Sequence, residues 1–316
     1  MAKSKLNLDV IPVCLFLYNR SEFINSTLDA IKKSAVGENV FLNIFIDGPK
    51  NNEDRLKVIK VKELVDQYDF SEFLDVKIQI NKTNAGLAES VISGVSKVIK
   101  QHKRVVVLED DLQVSENFFS YMKHALAFFA DKKKIGSISG FAFGVKQKKD
   151  FDCYFHPRPT SWGWATWEDR WNEVEWDIND EYLKANKFSK NKFNSLGDDM
   201  TRMLKGFIDG KIDSWAIRWA YCHYKNGWLS VNPYKSKIIN NGFGINNSTN
   251  TRLENNFLVN FDLSNKKDFK YPNIDIFDKR AHRIVNFYNS NLIRSMQKYF
   301  PNLLWIKINK LILKYF

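Results

Sequence analysis

The pattern of apolar and polar positions changes period repeatedly over the first hundred residues. Residues 10–18 (VIPVCLFLY) are a continuous apolar run, as expected of a strand buried on both faces. Ser21 then stands where an N-cap belongs, and Phe23, Ile24, Leu28 and Ile31 follow at helical spacing to about Lys33. Residues 40–46 read as a second strand, closed by the turn signal Asp47-Gly48-Pro49. Residues 53–68 read as helix, the alternating DVKIQI of residues 75–80 as strand, 87–100 as helix, and RVVVL of residues 104–108 as a fourth strand. Strands alternating with helices predict a mainly parallel sheet covered on both faces.

The later pattern is less regular. A helix is predicted from Ser115 to about Ala130, a short strand at 135–140, and a helix beginning within SWGWATWEDRW (residues 161–171). Further helices are expected at 196–209 and 214–226, with short strands at 228–231 and 235–240. Residues 240–251 are rich in Gly, Asn, Ser and Thr and read as a loop. The expected fold class is α/β, a mostly parallel Rossmann-like sheet flanked by helices, with a C-terminal helical appendage. The boundaries are a catalytic domain over 1–260 (donor half about 1–140, acceptor half about 141–260) and a basic appendage over 261–316.

Composition narrows the picture. Three widely spaced cysteines, Cys14, Cys153 and Cys222, argue against a disulfide framework and for a reducing compartment. Residues 1–9 are polar and lack a signal-peptide core, and no run of about 18 apolar residues exists, so a cytoplasmic protein is expected. Net charge is +12, yet residues 279–316 hold eight Lys or Arg and no acid, so the rest of the chain is only mildly basic. Nucleic acid is therefore a poor default partner. Aromatic content is 15%, and the tryptophans cluster between Trp162 and Trp228. Such rings stack on sugars or simply fill a core, and the sequence leaves both open.

In open α/β sheets ligands bind beyond the carboxyl ends of the strands. Asn19-Arg20, Asp47-Gly48 and Glu109-Asp110-Asp111 are thus expected to converge. Three consecutive carboxylates at a sheet edge are costly unless something positive neutralises them. Mg²⁺ or Mn²⁺ bridging a diphosphate does this. The plainer alternative is a solvated turn whose acids cap the following helix.

At these residues the chain resembles glycosyltransferases of the GT-A fold, most closely those similar to N-acetylglucosaminyltransferase I and bacterial surface-polysaccharide enzymes. The resemblance spans residues 10–251 and is strongest in VVVLEDDLQVSENFFSYM (105–122), with support from FLYNRSEFINSTL (16–28) and FIDGP (45–49). It implies an enzyme that moves a sugar from a nucleotide-sugar donor, UDP being the commonest, to a glycan acceptor, by inversion. Arg20 and Asp47 would contact the donor nucleotide, and Glu109 and Asp110 would lie along the nucleotide-sugar. Asp111 would be the ligand to Mn²⁺ or Mg²⁺. Asn84, Ala85 and Gly86 resemble the loop that meets the donor, with Lys82 beside it a phosphate contact or a solvated lysine. Trp162, Trp164 and Trp167 resemble the acceptor-side wall. IDSWAIRW (212–219) resembles the segment carrying the general base, which makes Asp213 the first choice, ahead of Asp198, Asp199, Glu168 and Asp169.

The family pattern is not matched everywhere. Related sequences place a His where this chain reads GINNSTNT (244–251), leaving Ser248 or Thr249 as weaker substitutes, and the acidic pair before Trp is Asp213-Ser214 here. In LLWIKINKLILKYF (303–316) the three lysines share one helical face opposite an apolar one. That suits a helix lying in a membrane interface, which would keep the enzyme on the inner face of the membrane near a lipid-linked acceptor, or a helix docked on the protein itself. Two other classes compete. A nucleotidyltransferase would carry a Gly-rich phosphate loop where this chain has Tyr18-Asn19-Arg20, and a non-catalytic glycan-binding protein leaves the acidic triplet unexplained.

Overall fold

The computed structural model describes residues 9–147, 150–242, 259–274 and 278–293. Residues 243–251 of the loop expected at 240–251, and the basic helix expected at 303–316, lie outside them.

The first hundred residues have the expected order. β1 (Val10–Leu17), α1 (Ser21–Ala35), β2 (Asn39–Ile46), α2 (Asn52–Asp66), β3 (Asp75–Ile80), α3 (Leu87–His102) and β4 (Arg104–Glu109) follow in sequence. β5 (Leu112–Val114), α4 (Phe118–Phe128), β6 (Ile135–Ser139), β7 (Cys153–His156) and β8 (Trp164–Trp167) come next. Then follow α5 (Glu168–Trp171), α6 (Asp180–Ala185), α7 (Lys190–Asn194), α8 (Met200–Ile208) and α9 (Trp215–Asn226). β9 (Leu229–Pro233), β10 (Ile238–Asn240) and α10 (Lys279–Tyr288) complete the chain.

Eight strands form one sheet in the order β3-β2-β1-β4-β8-β6-β9-β7, and β10 pairs with β5 in a separate two-stranded ribbon. β3, β2, β1 and β4 are mutually parallel, while β8 runs against β4. Alternation along β1 explains its unbroken apolarity. Ile11, Val13, Leu15 and Leu17 enter a core shared with α1 and α4, and Cys14 and Phe16 enter one shared with α3 and α9. Burying each such side chain contributes about 1.5–3 kcal/mol. Asn51 caps α2 through the Asp54 amide, Ser214 caps α9 through the Ile217 amide, and Gly227 at φ 63° ends α9 in the left-handed region.

Three expectations are corrected. The segment 164–167 is strand β8, with helix beginning only at Glu168. Trp164 stacks on Trp215 with ring centroids 5.0 Å apart and on Trp171 at 5.7 Å. Trp164 and Trp167 are 1% and 6% exposed, and Trp167 Nε1 donates to the Leu126 carbonyl at 3.1 Å, so both rings fill the core and neither forms an acceptor wall.

The proposed boundary near 260 does not separate two bodies. Ala281, Ile284, Val285 and Tyr288 of α10 lie in the main core with Val13 and Phe129, and Phe269 and Tyr271 pack against it. Lys237 and Asp262, both nearly inaccessible, form an ion pair that Asn117 joins on each side. Among the described residues no helix is long and apolar enough to cross a membrane.

Candidate active site

The parallel strands β1, β2 and β4 end at one edge, and the loops that follow them meet there. Arg20, the residue before α1, reaches across to β4: Nη1 donates to Asp111 Oδ2 at 2.6 Å, and Nη2 pairs with Asp110 Oδ1. The strand-end loop is itself held. Tyr18 Oη and Asn19 Nδ2 donate to the two oxygens of Asp54 on α2, at 2.6 and 2.8 Å. On the other side Thr27 of α1 donates to the Asp110 carbonyl at 2.7 Å.

The charges do not balance within the protein. Glu109, Asp110 and Asp111 are three carboxylates facing one guanidinium. Burial, with the charge of Asp111 next, pushes Glu109 up to about 8. Burial also raises Asp110 to about 6, although Arg20 pulls the other way. Burial works against the charge on Arg20, but Asp110 and Asp111 outweigh it and hold the guanidinium more firmly protonated than usual. The hold on protons that burial gives Glu109 and Asp110 marks a site short of positive charge, which a divalent cation supplies. Among the described residues no three His, Cys, Asp or Glu side chains gather into a full coordination shell. The arrangement therefore fits an ion held by Asp111, with Asp110 beside it, that takes its remaining ligands from phosphate oxygens and water.

Asp47 is engaged by the donors of the neighbouring loop. Its Oδ1 accepts from the amides of Gly48 and Ala85, each at 2.9 Å, and from Asn81 Nδ2 at 3.2 Å. Its Oδ2 accepts from Asn84 Nδ2 at 2.9 Å and the Gly86 amide at 3.0 Å. The carboxylate thus fixes the loop 81–86 on the carboxyl end of β2. Gly48 permits the approach, since a Cβ there would collide with the Thr83 backbone. Asn84 spends its amide on Asp47 and the Gly48 carbonyl. Lys82 is exposed. Gly86 has φ +83° and opens α3 without a side-chain cap, and α1 likewise begins at Arg20 uncapped. Two helix N-termini at one edge favour an anion between them.

Asp213 approaches from the acceptor half: a Cβ on Gly86 would lie 3.9 Å from Asp213 Oδ2. The Asp213 side chain is 66% exposed and accepts from Arg218 Nη2 at 3.3 Å. Arg218 is fixed by bonds to the carbonyls of Ser214 and Trp176, both at 3.1 Å, and lies over the Phe207 ring. The other acidic candidates are engaged or remote from this loop. Glu168 pairs with Lys103, and Asp169 pairs with Lys133 and Arg170. Asp199 is fully buried in a two-pronged pair with Arg158, at 2.6 and 3.1 Å. Asp198 is exposed, its carbonyl accepting from Asn291. Trp162 is half-buried beside the same edge, its ring edge-on to Phe141 at 4.6 Å.

Gly242 went unrecognised in the sequence. The β5–β10 ribbon brings it onto Asp111, where the Asn241 amide donates to the Asp111 carbonyl at 2.8 Å, and a Cβ on Gly242 would overlap Asp111 Oδ2. Only the absence of a side chain lets the backbone lie there.

No protein-family model matches the chain, and no curated protein matches it. Among solved structures it is similar to the mannosyltransferase PcManGT from Pyrobaculum calidifontis in complex with GDP-Man and Mn²⁺, at 15% identity and a TM-score of 0.37, over 57% of this chain and 51% of that one. It is similar to residues 1–349 of TarS from S. aureus, at 13% identity and a TM-score of 0.39, over 72% and 59% of the two chains. A third similarity is to the galactosyltransferase LgtC in complex with donor and acceptor sugar analogs, at 6% identity and a TM-score of 0.36, over 70% and 73%. The chain thus spans about half the length of the first and three-fifths of the second. Similarities this distant assign neither activity nor substrate.

Proposed function

We propose that this chain is a metal-dependent, inverting glycosyltransferase of the GT-A type, which moves a sugar from a nucleotide-sugar donor, UDP-linked in the simplest case, to a glycan acceptor. One observation carries the proposal: Arg20, Asp110 and Asp111 stand at the same strand edge as the Asp47-held loop 81–86, and Asp213 lies beside that loop.

In this reading Arg20 and the uncapped starts of α1 and α3 bind the diphosphate. A divalent ion on Asp111, when bound, supplies Lewis-acid stabilisation of the departing diphosphate. Asp213 takes the proton of the acceptor hydroxyl as its oxygen bonds to the anomeric carbon and the bond from that carbon to the phosphate oxygen breaks. Arg218 aims Asp213 through its Nη2 contact at 3.3 Å. Trp162 offers a ring face at the acceptor side. A lipid-linked acceptor of bacterial surface-polysaccharide synthesis, and cytoplasmic enzyme held on the membrane by residues 303–316, belong to the same proposal and rest on the basic apolar pattern of that segment.

The test is release of nucleoside diphosphate from a panel of nucleotide sugars, with Mn²⁺ or with chelator. Turnover that needs the metal and disappears in Asp213→Asn, with donor binding retained, is the expected result. Chelator-insensitive turnover removes the metal from the mechanism, and full activity in Asp213→Asn removes the base.

A further inference from the structure

Asp111 offers one oxygen to two claimants. Oδ2 accepts from Arg20 Nη1 at 2.6 Å, and the Gly242 backbone closes on the same oxygen. Arg20 Nη2 is committed to Asp110 in the same fork. The guanidinium holds one lone pair of Oδ2 and the Gly242 backbone crowds that oxygen, so a divalent ion at about 2.1 Å, as for Mg²⁺, would lie close beside the guanidinium. On the other oxygen it would meet the guanidinium at close range, where like charges repel. The Arg20 fork and a bound ion therefore compete for the charge of one carboxylate.

Arg20 has somewhere to go. Its side chain is 17% exposed, whereas the carboxylates of Asp110 and Asp111 are 3% and 9% exposed, so the guanidinium is the outermost member of the trio. Its planar fork matches phosphate oxygens as well as it matches carboxylates. It stands at the N-terminus of α1, where an anion is favoured.

We propose that Arg20 is a resident counter-ion, displaced from Asp111 when a divalent ion binds and handed to the donor's diphosphate, so that metal and diphosphate bind cooperatively through this one side chain. The inference rests on the metal-and-diphosphate part of the function proposed above and not on the sugar. Without diphosphate the ion competes with Arg20 and binds weakly. With diphosphate the displaced guanidinium gains a new partner and the competition ends. Linkage requires the converse, that the ion tightens diphosphate binding by the same factor.

The test uses the full chain, Mn²⁺ binding by electron paramagnetic resonance, and inorganic pyrophosphate as the diphosphate probe, with the binding of Mn²⁺ to free pyrophosphate subtracted. In the unmodified protein pyrophosphate should raise Mn²⁺ affinity about tenfold or more, within the ordinary range of coupling between sites. In Arg20→Gln, Mn²⁺ alone should bind about tenfold tighter, and most of the enhancement by pyrophosphate should vanish. Because Arg20→Gln can disturb folding, the unmodified protein supplies a second measurement: the Arg20 Nε–H nuclear magnetic resonance signal should move when Mg²⁺ is added. Unchanged or weaker Mn²⁺ binding by Arg20→Gln, or an Arg20 signal indifferent to Mg²⁺, overturns the exchange. Mn²⁺ binding that Asp111→Asn fails to reduce overturns the metal reading itself, and the exchange with it.

Discussion

Gly86 and Asp213 belong to different halves of the chain, yet a Cβ on the first would stand 3.9 Å from a carboxylate oxygen of the second. The loop that Asp47 holds therefore ends directly under the acid proposed as base. Asp213→Asn keeps the shape and the Arg218 contact region but removes the proton acceptor. Its turnover should fall by about 10²-fold or more while the affinity for donor stays within twofold of the original, a split that steady-state kinetics and donor titration would resolve. Gly86→Ala should behave differently. It forces a side chain into a backbone conformation that costs about 1–3 kcal/mol, and it should weaken donor binding and catalysis together.

Asp47 satisfies four donors of the loop 81–86 as well as the Gly48 amide. Asp47→Ala leaves those groups without their acceptor. Thermal or urea unfolding should show a loss of about 3 kcal/mol or more, and KM for the donor should rise more than kcat falls. A variant with full stability and ordinary KM would mean that the loop is held by something else.

Gly242→Ala tests the contact on Asp111 without touching a charge. The new methyl overlaps Asp111 Oδ2 and crowds Arg20. Activity should drop at least tenfold, with Mn²⁺ binding weakened and the unfolding temperature nearly unchanged. The atoms the methyl meets are the ends of the Asp111 and Arg20 side chains, which can turn aside, so the strain stays local.

Asp199 separates a structural acid from a chemical one. Replacing it with Ala strands the Arg158 guanidinium, which is 14% exposed, and should cost about 3–5 kcal/mol of stability. At a temperature where the variant is still folded, its kcat should be close to that of the unmodified protein. A large loss of kcat in the folded variant would return Asp199 to the list of candidate bases.

Acid should destabilise the fold through two histidines. Burial lowers His223, packed between Trp219 and Trp228, to about 3, and burial lowers His156 well below the usual histidine range. Both are neutral in the native state and ionise on unfolding. Their stabilising contribution is complete above about pH 6.5 and is lost as pH falls toward their native values, by up to about 1.4 kcal/mol per pH unit for each. Denaturant melts between pH 6.5 and 5 should show that slope, and His223→Leu should remove roughly one proton's share of it.

The donor half was legible because its signals are local. A run such as VIPVCLFLY is buried on both faces whatever follows it, and turn residues mark the strand ends where ligand groups gather. The same logic brought Arg20, Asp47 and the acidic triplet to one edge. It did not show that Asp47 faces the loop 81–86, because that depends on which backbone amides cross β2. Gly242 escaped for a similar reason: its partner Asp111 is reached only through the β5–β10 ribbon. WATW read as helix because aromatic residues serve a buried strand and a buried helix equally well. The basic composition after residue 278 drew attention from Ala281, Ile284, Val285 and Tyr288, whose spacing is that of an ordinary core-facing helix.

The direction change at β8 has a consequence for how such a chain diversifies. Because β8 runs against β4, its entrance, at Trp162 and Gly163, opens beside the outlet of β4. The segment between β6 and β8 also departs from this rim at Gly140. Insertions or exchanges there reshape one bank of this rim while the parallel strands β1, β2 and β4 keep their register. A lineage built on this plan can remodel one side of the rim without rebuilding the other.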